Sequence, residues 1–389
     1  MNINLVKIAQ ELAPQFQENA EYLDDNDEFA SANYEALRDK GVFSALSPAK
    51  YGGGGVSHSQ MCAFVRDIAR ACPSTALSLS MHQHLVSAAI LNDAAGRPGQ
   101  QLLEKVGRGD VVLVSTGAND WLESNGSATR VDGGFEITAV KPFASGSPAG
   151  DVLVTSVAYD DPQDGPQVLH FPVSLKADGI SFMGDWKTVG MRATGSQTIR
   201  LDRVFVPDQA IAMRRPRGGF HPAFAVILGV ALPLIMSAYT GVAEAAANIA
   251  REKAGGRASD PVTPFLVGEM ENLLTTVQLA HADLVRTAND LKFEPSVELA
   301  SQMLTRKTIC ATHVIATCEK AMEVVGGSSF FRKLGLERRL RDAHASQFHP
   351  LPEKRQQLFT GRLSMGLDPV SETAAPNLRV VAGFVAQIR

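Results

Sequence analysis

Several features that would point to metal, nucleic acid or membrane are absent from this chain. Its 389 residues hold four cysteines, Cys62, Cys72, Cys310 and Cys318. They show neither the CxxC spacing of a zinc or redox site nor a disulfide framework, which favours a reducing, cytoplasmic setting. The 37 basic and 41 acidic residues are spread through the sequence for a net charge of -4. No Lys/Arg block could track a phosphate backbone, so nucleic acid is not an expected partner. The first twenty residues lack the basic start and apolar stretch of a signal peptide. The nearest approach to a membrane span, Phe224 to Ala250, contains Glu244 among alanines, glycine and serine and reads as a buried bundle helix. No Gly-x-Gly-x-x-Gly follows a strand, which leaves a Rossmann site unsupported. The run Gly52-Gly53-Gly54-Gly55 lacks the Lys-Ser/Thr of a phosphate loop and reads as a connector. No third histidine or carboxylate stands at ligand spacing from His82 and His84, so no metal is expected.

What is present is a change of periodicity, twice. Up to about residue 110, apolar positions recur at three-to-four spacing over Val6 to Gln17, Asn26 to Lys40, Ser59 to Ala71, Ser74 to Asn92 and Pro98 to Gly107, which predicts helices. Residues 111–222 carry short strand-like runs: Val111 to Ser115, Gly134 to Val140, Val152 to Ala158, Gln167 to Pro172, Ile180 to Phe182 and Gln197 to Val206. Turn signals such as Asp132-Gly133-Gly134 separate them, so an antiparallel β domain is expected rather than βαβ units. Residues 223–389 return to helix, with long segments over Ala223 to Ala254, Pro264 to Leu291 and Ser296 to Val325, then shorter ones near Gly335 to Ala345 and Pro352 to Met365. Helices of this length with apolar stripes suit a four-helix bundle. The expected class is α+β, with domains over 1–110, 111–222 and 223–389.

Two stretches are distinctive. Asp185 to Ser196 reads Asp-Trp-Lys-Thr-Val-Gly-Met-Arg-Ala-Thr-Gly-Ser, followed by Leu201 to Pro207, and Val324-Val325-Gly326-Gly327 leads to Arg341-Asp342-Ala343. With the helix, strand, helix order, these resemble the acyl-CoA dehydrogenase superfamily over nearly the whole chain. The resemblance implies a flavin between the β domain and the C-terminal bundle, usually in a homotetramer. It also exposes a further absence. The glutamate that takes the α proton from an acyl-CoA falls at Pro350, and the alternative base position falls near Ala225. Without a base, desaturation should lose several orders of magnitude in rate.

Two other departures bear on the cofactor. The Arg-x-x-Phe-Gly segment that helps hold the adenosine half of FAD is replaced by Gly255 to Asp260, and Glu323 stands where dehydrogenases have Gln. Both leave room for FMN, the preferred cofactor, over FAD. Lys141-Pro142-Phe143-Ala144-Ser145-Gly146-Ser147 resembles the flavin-dependent monooxygenase branch that includes dibenzothiophene monooxygenase. That branch takes reduced flavin from a separate reductase and forms a C4a-hydroperoxide.

The resemblance implies catalytic roles for Ser145 as a hydrogen-bond donor beside flavin N5, for His349 near the flavin, donating to the peroxide or shuttling its proton, and for a histidine on the helix carrying His82 and His84. His84 is preferred, because dehydrogenases commonly have a histidine at the His82 position. Cofactor contacts are implied at Ser115, Thr116, Phe143, Trp186, Arg192, Gly326 and Gly327. Each residue also has a plainer reading. A lone serine on a strand is more often structural, and buried helix histidines are often hydrogen-bonded core residues. Trp186 either packs the β core or stacks on flavin. Arg192, Thr194 and Ser196 either hold the β domain together or reach phosphate. The segment Val114 to Asp120 is shorter than the family's flavin-contacting turn. The leading expectation is a two-component monooxygenase acting on a small apolar or aromatic molecule. Rivals are an acyl-CoA dehydrogenase with its base moved to Glu353 or Glu244, and a flavin-binding subunit without catalysis.

Overall fold

The computed structural model describes residues 3–116 and 123–370. Helix α1 (Leu5–Asn26) buries Leu5, Ala9, Leu12, Phe16 and Ala20 along one stripe. It runs past Gln17, where the periodicity was expected to stop, because Ala20 continues that stripe. Asp27, in the left-handed region at φ 52, ends it, so α2 (Ser31–Asp39) begins later than the expected Asn26. A capping box between Ser57 and Gln60 opens α3 (His58–Ala71). Pro73 opens α4 (Pro73–Ala94), which is buried on nearly every side through Ser87. After α5 (Gln100–Gly107) the chain enters the β region. The glycine run before α3 is a packing connector: a Cβ on Gly53 would lie 2.1 Å from the Ser47 carbonyl oxygen.

Two four-stranded sheets follow. One has the order β1 (Leu113–Ser115), β4 (Val152–Asp161), β5 (Gly165–Ser174), β8 (Met213–Pro216); the other β2 (Ser127–Val131), β3 (Gly134–Ala144), β7 (Gln197–Pro207), β6 (Ile180–Phe182). All pairings are antiparallel except β1 with β4, which is parallel. Alternate residues of both sheets, among them Phe135, Ile137, Leu153, Val157, Leu169, Phe171, Ile199 and Leu201, form one core. Strands β2 and β8 were not foreseen. Their sequences, Ser-Ala-Thr-Arg-Val and Met-Arg-Arg-Pro, carry no apolar alternation, because both lie at sheet edges and are held by backbone pairing.

The C-terminal helices are α6 (Pro222–Ala254), α7 (Val262–Ala288), α8 (Val297–Val325), α9 (Leu336–His344) and α10 (Glu353–Ser364). Helix α6 packs against α3, α4, α7, α8 and α9. That surrounding explains why it is apolar all round, with 89 % of its most apolar stretch buried inside the protein. Its one buried acid, Glu244, accepts from Arg66 and Arg70 of α3 and from Gln278 of α7, at 2.8 Å for the glutamine. The β region is fastened to the bundle at one corner. Gly190 lies so close to α9 that a Cβ there would sit 2.4 Å from the Arg341 carbonyl. The next residue, Met191, donates its N–H to the buried Asp342 carboxylate.

Glu244 makes acid stability measurable. Burial opposes its ionisation, but hydrogen bonds from Arg66 and Gln278 and the charges of Arg66 and Arg70 win, holding its pKa at about 2 against an ordinary 4.5. A depressed carboxyl contributes stability that is complete above 4.5 and is lost as pH falls toward 2. Arg66→Met should therefore cost about 2 kcal/mol at pH 7, below the full cost of breaking a buried pair because Arg66 is 28 % exposed. The deficit should shrink as pH drops below 4.5; urea unfolding of both chains across pH checks it.

Candidate active site

Ser145 follows the end of β3, where a register shift between Lys141 and Ala144 bulges the strand. The bulge holds Phe143 at φ 61 and turns its ring out, 61 % exposed. That ring meets Trp186 edge-on with centroids 6.1 Å apart. Trp186 lies outside the β core, contrary to one sequence expectation; it is half-buried, and its Nε1 donates to the Met191 carbonyl at 3.3 Å. Phe143 and Trp186 together offer an apolar surface at the end of β3, two residues before Ser145.

Ser145 begins a line of hydroxyls. Its Oγ lies 2.7 Å from Ser196 Oγ, which lies 2.6 Å from Thr194 Oγ1, which donates to the Met191 carbonyl at 2.8 Å. A carbonyl can only accept, and each hydroxyl has one hydrogen. Thr194 spends its hydrogen on Met191, so Ser196 must donate to Thr194 and Ser145 to Ser196. Ser145 is left with lone pairs and no hydrogen to offer outward, contrary to the donor role expected of it, because the Met191 carbonyl at the far end fixes the direction of the line. Thr194 and Ser196 thus orient Ser145, a role that the line of hydrogen bonds makes visible and the sequence did not.

Met191 is the hub of this corner. Its carbonyl accepts from Thr194 and Trp186, while its N–H is held by Asp342. Burial raises the Asp342 carboxyl to about 6 despite the Met191 hydrogen bond. Arg341 beside it binds the Val189 carbonyl at 2.7 Å and the Asp24 carboxylate of α1. Arg192 is drawn the same way: it donates to the Thr188 and Asp24 carbonyls and lies 3.6 Å from the Asp27 carboxylate. These contacts tie Arg192 to α1.

Past α9 the chain reaches His349, whose Nε2 lies 2.7 Å from Tyr239 Oη of α6. Although part of the residue is accessible, the ring sits among protein atoms. Burial, reinforced by the Lys307 charge, pushes its pKa down to about 3. Burial and the Asp342 charge push the Tyr239 phenol well above its ordinary value. The pair is neutral at pH 7. Tyr239 and Lys307 were missed in the sequence, though signals existed. Tyr239 is a buried phenol in a mainly apolar helix, and Lys307 falls on the α8 core stripe between Leu304 and Cys310.

On α4, both ring nitrogens of His82 are bound to backbone: Leu113 N–H donates to Nδ1 at 2.9 Å, so Nε2 donates to the Phe43 carbonyl at 2.9 Å. His82 is a structural tie between α4, β1 and the loop after α2. His84 is as deeply buried, yet its Nδ1 makes no hydrogen bond of good geometry, although the Ser80 carbonyl lies near. Burial lowers its pKa to about 4. Ser115 and Thr116 are buried at the end of β1, with Thr116 Oγ1 2.9 Å from Thr155 Oγ1; the rest of their turn lies outside the described residues. Gly326 and Gly327 close α8 at the surface. No hydrogen bond among the described residues joins His84 or these glycines to the Ser145 line.

The two carboxylates considered as relocated bases are poorly suited to that task. Glu244 is consumed by two guanidinium groups and held near 2. Glu353 is engaged by Lys354 at 2.8 Å at the exposed start of α10. Ala225 is fully buried and Pro350 carries no ionisable group.

Comparison with known proteins agrees with this fold. The acyl-CoA dehydrogenase N-terminal domain family matches residues 6–110 and the C-terminal domain family residues 234–353, together more than half the chain. A probable FMNH2-dependent monooxygenase, SfnC of Pseudomonas putida, is 26 % identical over 88 % of this chain and 90 % of its own length. A putative acyl-CoA dehydrogenase, YdbM of Bacillus subtilis, is 27 % identical over 87 % and 91 %. The fold superimposes on FMN-bound TdsC from Paenibacillus sp. A11-2 with a TM-score of 0.82, at 19 % identity over 95 % of this chain and 100 % of that one. The chain thus belongs to the acyl-CoA dehydrogenase family.

Proposed function

We propose that this protein is a two-component monooxygenase of the family, taking reduced FMN from a separate flavin reductase and oxygenating a small, mainly apolar or aromatic molecule. The observation that carries this reading is the direction of the hydroxyl line. Ser145 can only accept from an outside partner, and N5 of a reduced flavin carries a hydrogen whereas N5 of the oxidised ring does not. A site so wired favours the reduced form, which a dehydrogenase that receives its substrate on oxidised flavin does not require. The donor set fits the ring: an acceptor at Ser145, apolar faces at Phe143 and Trp186, and the unsatisfied His84 Nδ1. Ser115 and Thr116 would add contacts from β1. FMN is preferred to FAD because Arg257 is turned onto the Val324 carbonyl and Glu323 is paired with Lys320, leaving the Gly326–Gly327 corner little to hold a second phosphate.

Bound reduced FMN supplies two electrons and activates O2, one oxygen atom going to the substrate and the other leaving as water. This chain's residues supply the surroundings. The buried helices exclude water, which would otherwise divert the reaction to hydrogen peroxide. His349, too weak a base at about 3 to carry a proton, acts as a neutral hydrogen-bonding group aimed by Tyr239. The reading includes a homotetramer in a cytoplasmic setting, with the three domains bounded near residues 110 and 222.

The decisive experiment supplies the purified chain with FMN, a flavin reductase and 18O2, and follows an aromatic or organosulfur panel by mass spectrometry. One labelled oxygen per product is expected, and acyl-CoA thioesters should leave bound flavin unbleached under anaerobic conditions. Conversion of an acyl-CoA to its enoyl product at ordinary rates would sink the proposal. Ser145→Ala should weaken binding of reduced FMN about five-fold, the worth of roughly 1 kcal/mol of hydrogen bond, with little effect on oxidised FMN; anaerobic titration of both forms tests this. Tyr239→Phe should leave flavin affinity unchanged but lower product formed per O2 consumed, measured with an oxygen electrode and a peroxide assay.

A further inference from the structure

Lys307 of α8 has no part in the scheme above, yet it is only 1 % exposed. Its ammonium donates to the Gln347 carbonyl at 3.3 Å and to the Leu351 carbonyl at 3.2 Å. Those two carbonyls lie on either side of His349. No carboxylate comes within 4 Å of it among the described residues; the charged and ionisable groups that influence it are Cys310 on its own helix and Glu353 at the start of α10. An ammonium held by neutral carbonyls alone is costly to bury, and an apolar side chain of similar length would fill the space at less cost.

The packing around Lys307 suggests what it accomplishes. Between α8 and the segment from Gln347 to Glu353 lies a cavity of about 260 Å3, lined by Lys307, Thr308, Thr312, Ile315, Gln347 and Glu353 among others. The segment is therefore open along part of its α8 side, although Leu351 at its end is packed into the core. Its other side carries His349, which meets Tyr239. The ammonium bridges the gap that packing leaves open.

We infer that Lys307 is a positioning residue for His349, strapping the carbonyls on both sides of the histidine to α8 and thereby holding the ring against Tyr239. A role in oxygenation rests on the function proposed above; the positioning itself does not. The strap also places a positive charge near the imidazole, which adds to burial in keeping it neutral. The groups facing the ring are Tyr239 from α6 and Lys307 from α8. Lys307 itself, pushed down to about 8 by burial, remains largely charged at pH 7.

The test is hydrogen exchange at the histidine ring carbon, followed residue by residue with mass spectrometry on the full chain, with and without FMN. Because this reads the ring directly, it stands even if no oxygenase activity is found; failure of the function would appear instead as no labelled product from the unaltered chain. In that chain His349 should show slow exchange with no titration through neutral pH. Lys307→Met, which removes both donors and the charge, should speed His349 exchange at least several-fold and bring its midpoint up into the range where the protein is folded. Lys307→Gln, which can still donate to the carbonyls, should hold the rate nearer the original. His82 and His281, tied elsewhere, should not change. Unchanged His349 exchange in Lys307→Met overturns the inference, as does an equal acceleration at His82 and His281, which would mean general loosening. If Lys307→Met does not fold, the His349 midpoint in Lys307→Gln decides: loss of the charge should raise it, and an unchanged midpoint there overturns the inference.

Discussion

The structure depends on one buried carboxylate. Asp342 lies between the bundle and the β region, accepts the Met191 N–H and carries no second hydrogen-bond donor among those described. An acid so placed is unfavourable when ionised, and burial raises it to about 6. It is tolerated because the corner around it is closed by other groups. Gly190 permits the close approach to α9, Met191 adopts a left-handed backbone at φ 54, and Arg341 ties the same corner to α1. Three parts of the chain are thereby fixed relative to one another at a single place.

From that corner two lines of polar contacts lead outward. One passes from the Met191 carbonyl through Thr194 and Ser196 to Ser145, and its direction is imposed by the carbonyl at its end. The other follows the chain beyond α9 to His349, set between Tyr239 and the strap from Lys307. The two differ in kind. The hydroxyl line orders hydrogens and leaves an acceptor at its tip, whereas the histidine line withholds charge, with burial and a nearby cation keeping the ring neutral. A site assembled this way can discriminate between hydrogen-bonding states of a ligand without a strong acid or base of its own, which accords with the absence of a usable carboxylate at positions 225, 244, 350 and 353.

The periodicity changes near residues 110 and 222 were legible because helices and strands bury side chains at different intervals. Long elements such as α6, α7 and α8 could be placed for that reason. The edge strands β2 and β8, which carry no apolar alternation, left no such trace, nor did the left-handed turn at Asp27 that separates α1 from α2. In the site, Ser145 and His349 could be singled out by family resemblance. Tyr239 and Lys307 were not, because the polar groups on their helices hint at a role but name no partner until the chain beyond α9 is brought to them.

The sequence by itself determined the order of helix, sheet and helix and the replacement of the dehydrogenase carboxylate by Pro350, because each is a matter of residue type and interval. Only the tertiary structure decided which histidine on α4 is tied up by backbone, which way the hydroxyls point, and what holds His349 in place. Those are properties of groups far apart in the chain, Met191 with Asp342 and Tyr239 with His349, and the direction of a hydrogen bond is fixed only when both of its ends are known.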